Sequence, residues 1–201
     1  MIDGIARPYL QRLYHPLARR LVEAGVSPLH LTLLGAGIAA LATSVVLAGP
    51  PSLGVAIWLL GRIPDGLDGA VARLGNRVTL WGAYLDTTLD MAAYSAMIVA
   101  LGLRHPELAV AWLLILVGYV LCSASTLALS SLLERQQQQA SGEQRSIQYT
   151  RGLAEAGETY IVYGLFVLMP SAMSLIAWGW VIVLGITFVE RTMLAARLLR
   201  G

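Results

Sequence analysis

The sequence predicts an all-α integral membrane protein: a bundle of six transmembrane helices preceded by an amphipathic helix on the membrane surface. Three observations carry this. Hydrophobic residues make up 57% of the 201 residues and charged ones only 13%, with a mean hydropathy of +0.67. That balance suits lipid rather than water as the main solvent. Six apolar runs, each about long enough to cross the hydrocarbon core, are separated by turns rich in Gly and Pro. All fourteen basic residues are Arg, and twelve of them fall on one side of that layout.

Residues 1–24 scatter Arg7, Arg12, Arg19 and Arg20 among Ile5, Tyr9, Leu10, Leu13, Leu17 and Leu21, which lie close to helical spacing. This predicts an interfacial helix with its arginines near lipid head groups, and no cleavable signal peptide. The first span is expected over 29–48, and Gly49-Pro50-Pro51-Ser52 turns the chain into the second, 53–75. A short turn around Gly75-Asn76 leads to the third, 78–103, so the second and third should be antiparallel neighbours. Arg104-His105-Pro106 precedes the fourth, 108–132. The stretch 133–150, with four consecutive Gln, reads as an exposed loop or a helix extension. The fifth span, 152–169, and the sixth, 172–197, are parted by Pro170-Ser171. Residues 1–201 then form one domain.

Six spans put both termini on the same face, and Arg104 alone marks the opposite one, so the positive-inside rule places the termini in the cytoplasm. The lone cysteine, Cys122, excludes an internal disulfide framework and reads as a packing residue.

The second and third spans should be apolar, yet they hold Asp65, Asp68, Asp86 and Asp90. An ionisable residue at membrane depth costs roughly 2.5–3.5 kcal/mol on insertion scales, so four together need an explanation. Asp65 and Asp68 are three apart and Asp86 and Asp90 four apart, so each pair lies on one helix face. Four anions at one locus need cations, and hard oxygen ligands suit Mg²⁺, Mn²⁺ or Ca²⁺ rather than Zn²⁺. Divalent ions held this way bind a diphosphate. Gly69 and Gly82 leave backbone exposed nearby, and Arg73 can fork onto a phosphate. Arg62 also lies inside a span.

The run Asp65-Gly66-Leu67-Asp68-Gly69-Ala70-Val71-Ala72-Arg73, followed by Gly82, Asp86 and Asp90, matches the pattern D-x2-D-G-x2-A-R-x8-G-x3-D-x3-D at every fixed position. This resembles the signature of the CDP-alcohol phosphotransferases. Gly25-Val26-Ser27-Pro28 and Thr32 also look like that family's entry to its first span, with Leu29 where Asn is usual. The resemblance implies that Asp65, Asp68, Asp86 and also Asp90 hold Mg²⁺ or Mn²⁺, as one or two ions. It implies that Asp90 acts as general base. Asp68, Gly69, Ala72, Arg73 and Gly82 would bind the cytidine diphosphate moiety.

The implied reaction moves a phosphatidyl group from CDP-diacylglycerol to an alcohol acceptor in phospholipid biosynthesis, with CMP leaving. A CDP-linked head group passed to a lipid or polyol alcohol would use the same signature, and a membrane cation carrier is the alternative from another class. The acceptor pocket is expected near Arg145, Arg151, Glu155 and Glu158, where a local Arg–Glu pair at the interface reads equally well. Arg145, Arg151 and Arg191 would suit a phosphorylated acceptor, and the glutamates an amino alcohol. A homodimer in a prokaryotic inner membrane is implied, with membrane lipid as partner and no nucleic acid.

Overall fold

In the computed structural model, which describes residues 14–141 and 156–200, every regular element among the described residues is a helix. Residues 14–23 are helical and are called α1. The helices α2 (Pro28–Ala48), α3 (Pro51–Leu74), α4 (Leu80–Arg104), α5 (Ala109–Ser141), α6 (Ala156–Leu168) and α7 (Met173–Arg200) follow.

The boundaries have local causes. Gly25 sits at φ +76, with Val26 N–H donating to Leu21 O and Gly25 N–H to Val22 O, a left-handed close to α1 that an L side chain resists. Pro28 and Pro51 occupy the first turns of α2 and α3, where the missing N–H costs nothing. Asn76 takes φ 50 in the turn after α3, a conformation Asn tolerates better than most residues. Thr79 then caps α4, accepting from Gly82 N–H at 3.0 Å. Trp112 Nε1 donates to His105 O at 3.0 Å and closes the α4–α5 corner. Past residue 132 the chain continues as helix through its glutamines to Ser141, since Gln is a good helix former. This is the helix extension and not the loop over those residues.

Three segments are long and apolar enough to cross a membrane: Pro28–Ala48, Pro106–Arg135 and Pro170–Leu199. Their outward residues, among them Leu33, Leu41, Val117, Val120, Ile182 and Val189, are exposed on the isolated chain. An apolar surface of that extent needs lipid or a partner to cover it. Helices α3 and α4, of 24 and 25 residues, are as long but carry the ionisable residues.

Small residues set the packing of α3. A Cβ built on Gly54 would lie 2.5 Å from Val46 Cγ2 and 2.8 Å from Ala42 O, and one on Gly61 would lie 2.9 Å from Ile38 Cγ2. Such seams let two helix backbones approach closely in a membrane, where dispersion replaces the hydrophobic effect. Helix α3 therefore packs tightly on α2, which also carries α4, while the backbones of α3 and α4 scarcely approach one another. The two helices are neighbours as expected, but they meet through side chains across a cleft while α2 packs against both backbones. They are antiparallel, because partners fall along α4 as they rise along α3. Trp58 meets Tyr94, Arg62 meets Asp90, and Asp65 and Asp68 meet Asp86.

Below the cleft the core is aromatic. Trp58 contacts the rings of Tyr94, Tyr160 and Tyr163 at 5.5, 5.7 and 4.8 Å. Tyr163 OH donates to Tyr94 O, Tyr119 OH shares a hydrogen bond with Tyr163 OH, and Trp180 Nε1 donates to Tyr119 OH. These contacts tie α3 to α4, α5, α6 and α7. Each buried hydroxyl in that chain is satisfied, as low-dielectric surroundings require. At the other end α1 lies on α3, with Ala18, Leu31, Leu67 and Val71 buried between them and α2.

Candidate metal centre and active site

Asp65, Asp68 and Asp86 converge in the α3–α4 cleft, each offering a carboxylate oxygen, with these oxygens all within 4.8 Å of one another. Asp68 is 5% exposed, and its carboxylate is fixed on both sides. Thr32 Oγ1 donates to Oδ2 at 2.5 Å, and Gly69 N–H donates to Oδ1. Thr32 is carried by α2, so the helix that bridges α3 and α4 also orients one of the cluster's ligands. Three carboxylates at this separation fit a hard divalent cation. The donors are all oxygen, the two helices hold them without bonding them to one another, and no Arg forms a salt bridge to Asp68 or Asp86 among the described residues.

Asp90 is one turn beyond Asp86 on α4; it stands outside the set of three but against it, with Arg62 between its carboxylate and that of Asp65. Its Oδ1 accepts from Arg62 Nη1 at 2.7 Å, and the same nitrogen stands 3.8 Å from Asp65 Oδ2. Arg62 is 7% exposed. Its guanidinium carbon lies 4.9 Å from the Trp58 ring centroid and 5.9 Å from that of Tyr94, distances at which ring faces attract a cation. The motif does not include Arg62. Its signal was a charge inside an apolar run, three residues before Asp65 and so on the same helix face.

The remaining motif residues line the end of the cleft nearest the α3–α4 turn. Arg73 is exposed and folds back, so that a Cβ on Gly69 would lie 3.2 Å from its Nη1. Gly69 thus makes room for the Arg73 guanidinium, not only for a ligand. Ala72 is partly exposed. At Gly82 an added Cβ would meet only Thr79 Oγ1, at 3.0 Å. Gly66 faces α1, whose Tyr14 ring stands 2.7 Å from a Cβ built there. Partial burial, reinforced by the Asp65 charge, pushes the Tyr14 phenol above its ordinary pKa.

Of the acceptor candidates, Glu158 stands partly buried in the first turn of α6, while Arg145, Arg151 and Glu155 lie outside the described residues. Arg191, expected as a cation suited to a phosphorylated acceptor, is instead turned into the α5–α7 packing. It is 8% exposed, and its Nη1 donates to Cys122 O at 2.8 Å and to Thr126 Oγ1 on α5. Cys122 is buried as a packing residue.

The comparisons with known proteins agree with this geometry. The family model described as CDP-alcohol phosphatidyltransferase matches residues 26–189. The chain is 34% identical to the inner membrane protein YnjF of Escherichia coli strain K12 over 175 residues, covering 85% of this chain and 84% of that one. It resembles a solved Mycobacterium tuberculosis phosphatidylinositol phosphate synthase (PgsA1) with CDP-DAG bound, at a TM-score of 0.71 and 26% identity. That match covers 92% of this chain and 94% of the other. A structure of the same synthase in complex with manganese and citrate matches at a TM-score of 0.70 and 26% identity, covering 90% and 88%. With a match of that extent and an acidic cluster built from the motif's own aspartates, the chain belongs to the CDP-alcohol phosphatidyltransferase family and is an enzyme of that class.

Proposed function

We propose that the protein transfers the phosphatidyl group of CDP-diacylglycerol to an alcohol acceptor in phospholipid biosynthesis, releasing CMP. The observation that carries this reading is the division of labour among the four aspartates: three share a cation-sized cluster and the fourth is held beside it by Arg62. The CDP-DAG bound by the similar synthase supports the donor, and the manganese in its other structure supports a divalent ion.

In this reading Asp65, Asp68 and Asp86 hold Mg²⁺ or Mn²⁺, as one ion or two. When bound, the metal offsets charge on the diphosphate and on the departing CMP. Arg73, with Gly69, Ala72 and Gly82 around it, receives the cytidine diphosphate end. Asp90 accepts the proton of the acceptor hydroxyl as its oxygen bonds to the lipid-bearing phosphorus. The bond from that phosphorus to the bridging oxygen breaks, and CMP departs with the electron pair. Asp90 serves through position, since the reacting oxygen is presented to it within the cleft. Glu158, with Arg145, Arg151 and Glu155, selects the acceptor.

The same reading takes six membrane crossings, with α3, α4 and α6 joining the three apolar spans as one domain over 1–201. The Arg-rich face is cytoplasmic, supported by the distribution of arginines. The printed name of the Escherichia coli relative supports an inner-membrane location, and the exposed apolar flanks suit a homodimer in lipid. Membership of an enzyme family sets the cation-carrier alternative aside. The test is CMP release by purified protein in lipid, with CDP-diacylglycerol and Mg²⁺ or Mn²⁺, against a panel of alcohols. CMP release from a soluble CDP-alcohol but not from CDP-diacylglycerol would reverse the donor assignment.

A further inference from the structure

Arg62 is a buried cation that the signature does not contain, and its shortest polar contact is with Asp90. Its Nη1 is 2.7 Å from Asp90 Oδ1 and 3.8 Å from Asp65 Oδ2, so the tight bond goes to Asp90. The rings of Trp58 and Tyr94 flank the guanidinium at 4.9 and 5.9 Å. Tyr94 is itself held through its hydroxyl to Tyr160 OH at 3.2 Å. Arg62 therefore cannot swing aside without leaving two aromatic faces. Its Nε is buried and has no hydrogen-bond partner among the described residues, a cost the fold bears to keep a charge at this depth. The backbones of α3 and α4 scarcely approach, and this pair is a polar strut across the cleft.

We propose that Arg62 is a positioning residue that clamps the Asp90 carboxylate across the α3–α4 cleft. Oδ1 is engaged by the guanidinium and Oδ2 is left to take the acceptor proton. A carboxylate on a single χ1–χ2 hinge has several rotamers, and only some face a hydroxyl presented in the cleft. Binding one oxygen to a fixed, planar cation removes the others. The catalytic half of this statement rests on the phosphatidyl-transfer reading, whereas the clamp itself does not.

Two cycles of Arg62→Gln, Asp90→Asn and the double variant test it, in full-length protein in lipid or mild detergent. In the first, CMP release is measured. Arg62→Gln should lower kcat about a hundredfold with donor and acceptor KM little changed. Arg62→Lys, which keeps the charge but not the planar guanidinium between the rings of Trp58 and Tyr94, should recover part of that loss. In the Asp90→Asn background Arg62→Gln should cost less than about threefold, because the group it acts through is gone. Mn²⁺ binding should not be weakened in Arg62→Gln, separating a positioning loss from a loss of metal.

The second cycle reads thermal unfolding without metal, where the two single changes should be clearly non-additive. Arg62→Gln turning over within about threefold of the parent overturns the proposal. So does a loss repeated in full on Asp90→Asn, or one explained by weaker Mn²⁺ binding. If the parent releases no CMP with any alcohol, the phosphatidyl-transfer reading falls. The unfolding cycle then decides the clamp: additive changes overturn it and coupled changes uphold it.

Discussion

Asp68 shows how a single side chain is prepared for a cation. It is the most buried of the three clustered aspartates, and Thr32 and its own following amide fix its two oxygens. Removing one donor leaves the carboxylate in place but free to turn. Thr32→Val should therefore weaken Mn²⁺ binding by about 1 kcal/mol, roughly fivefold, in a direct titration of the purified protein. Gly69→Ala acts on the neighbouring charge instead. Its methyl would stand 3.2 Å from Arg73 Nη1, and the exposed side chain would shift from its place beside Gly69. The fold should survive and the apparent affinity for CDP-diacylglycerol should fall by about tenfold, read as KM for the donor. That Asp65 shares a helix face with Asp68, and Asp86 with Asp90, was legible from spacing alone, because a helix face converts three- and four-residue separations into neighbours. The partner of Arg62 was not, since Asp90 is 28 positions away and on another helix. Only the presence of an unpaired charge in an apolar run announced that it needed one.

At the scale of elements, the site exists because α3 leans on α2 rather than on α4. Gly54 and Gly61 on α3 meet Ala42, Val46 and Ile38 on α2, and Pro64 removes one internal hydrogen bond from α3 just beside the aspartates. Gly54→Ala should therefore be destabilising by about 1–3 kcal/mol, through overpacking against backbone and a β-branched side chain. A lowered melting temperature in detergent, with metal affinity falling in parallel, is the expected record. Gly37→Ala on α2 is the control, because nothing lies within 4 Å of its added methyl, and it should be neutral or slightly stabilising. The helices themselves could be read from the lengths of the apolar runs, with ends shifted by a few residues where Pro or a cap decided them. Which helix packs on which could not. The short loop between α3 and α4 announced their side-chain contact, but not that small-residue seams bring α3 closest to α2.

For the whole molecule, composition alone announced lipid, and the burial pattern agrees: the outward surfaces of α2, α5 and α7 are Leu, Val and Ile. The orientation rests on where arginine falls, and it can be checked without chemistry. In a Cys122→Ala background, Ser52→Cys should react with an impermeant maleimide from outside sealed cells. Asn76→Cys, at the α3–α4 turn beside the site, should react only after permeabilisation. Equal reaction from outside would invert the topology. The acceptor stays the least legible part, because no periodicity ties Arg145, Arg151, Glu155 or Glu158 to the motif. The chemistry of the cleft is read by CMP release from CDP-diacylglycerol by the parent and by Asp90→Asn, each with Mn²⁺ and across the alcohol panel. Release with one class of alcohol is expected, lowered by about a thousandfold in Asp90→Asn while Mn²⁺ still binds. Release that Asp90→Asn leaves unchanged would contradict the role of Asp90 as general base.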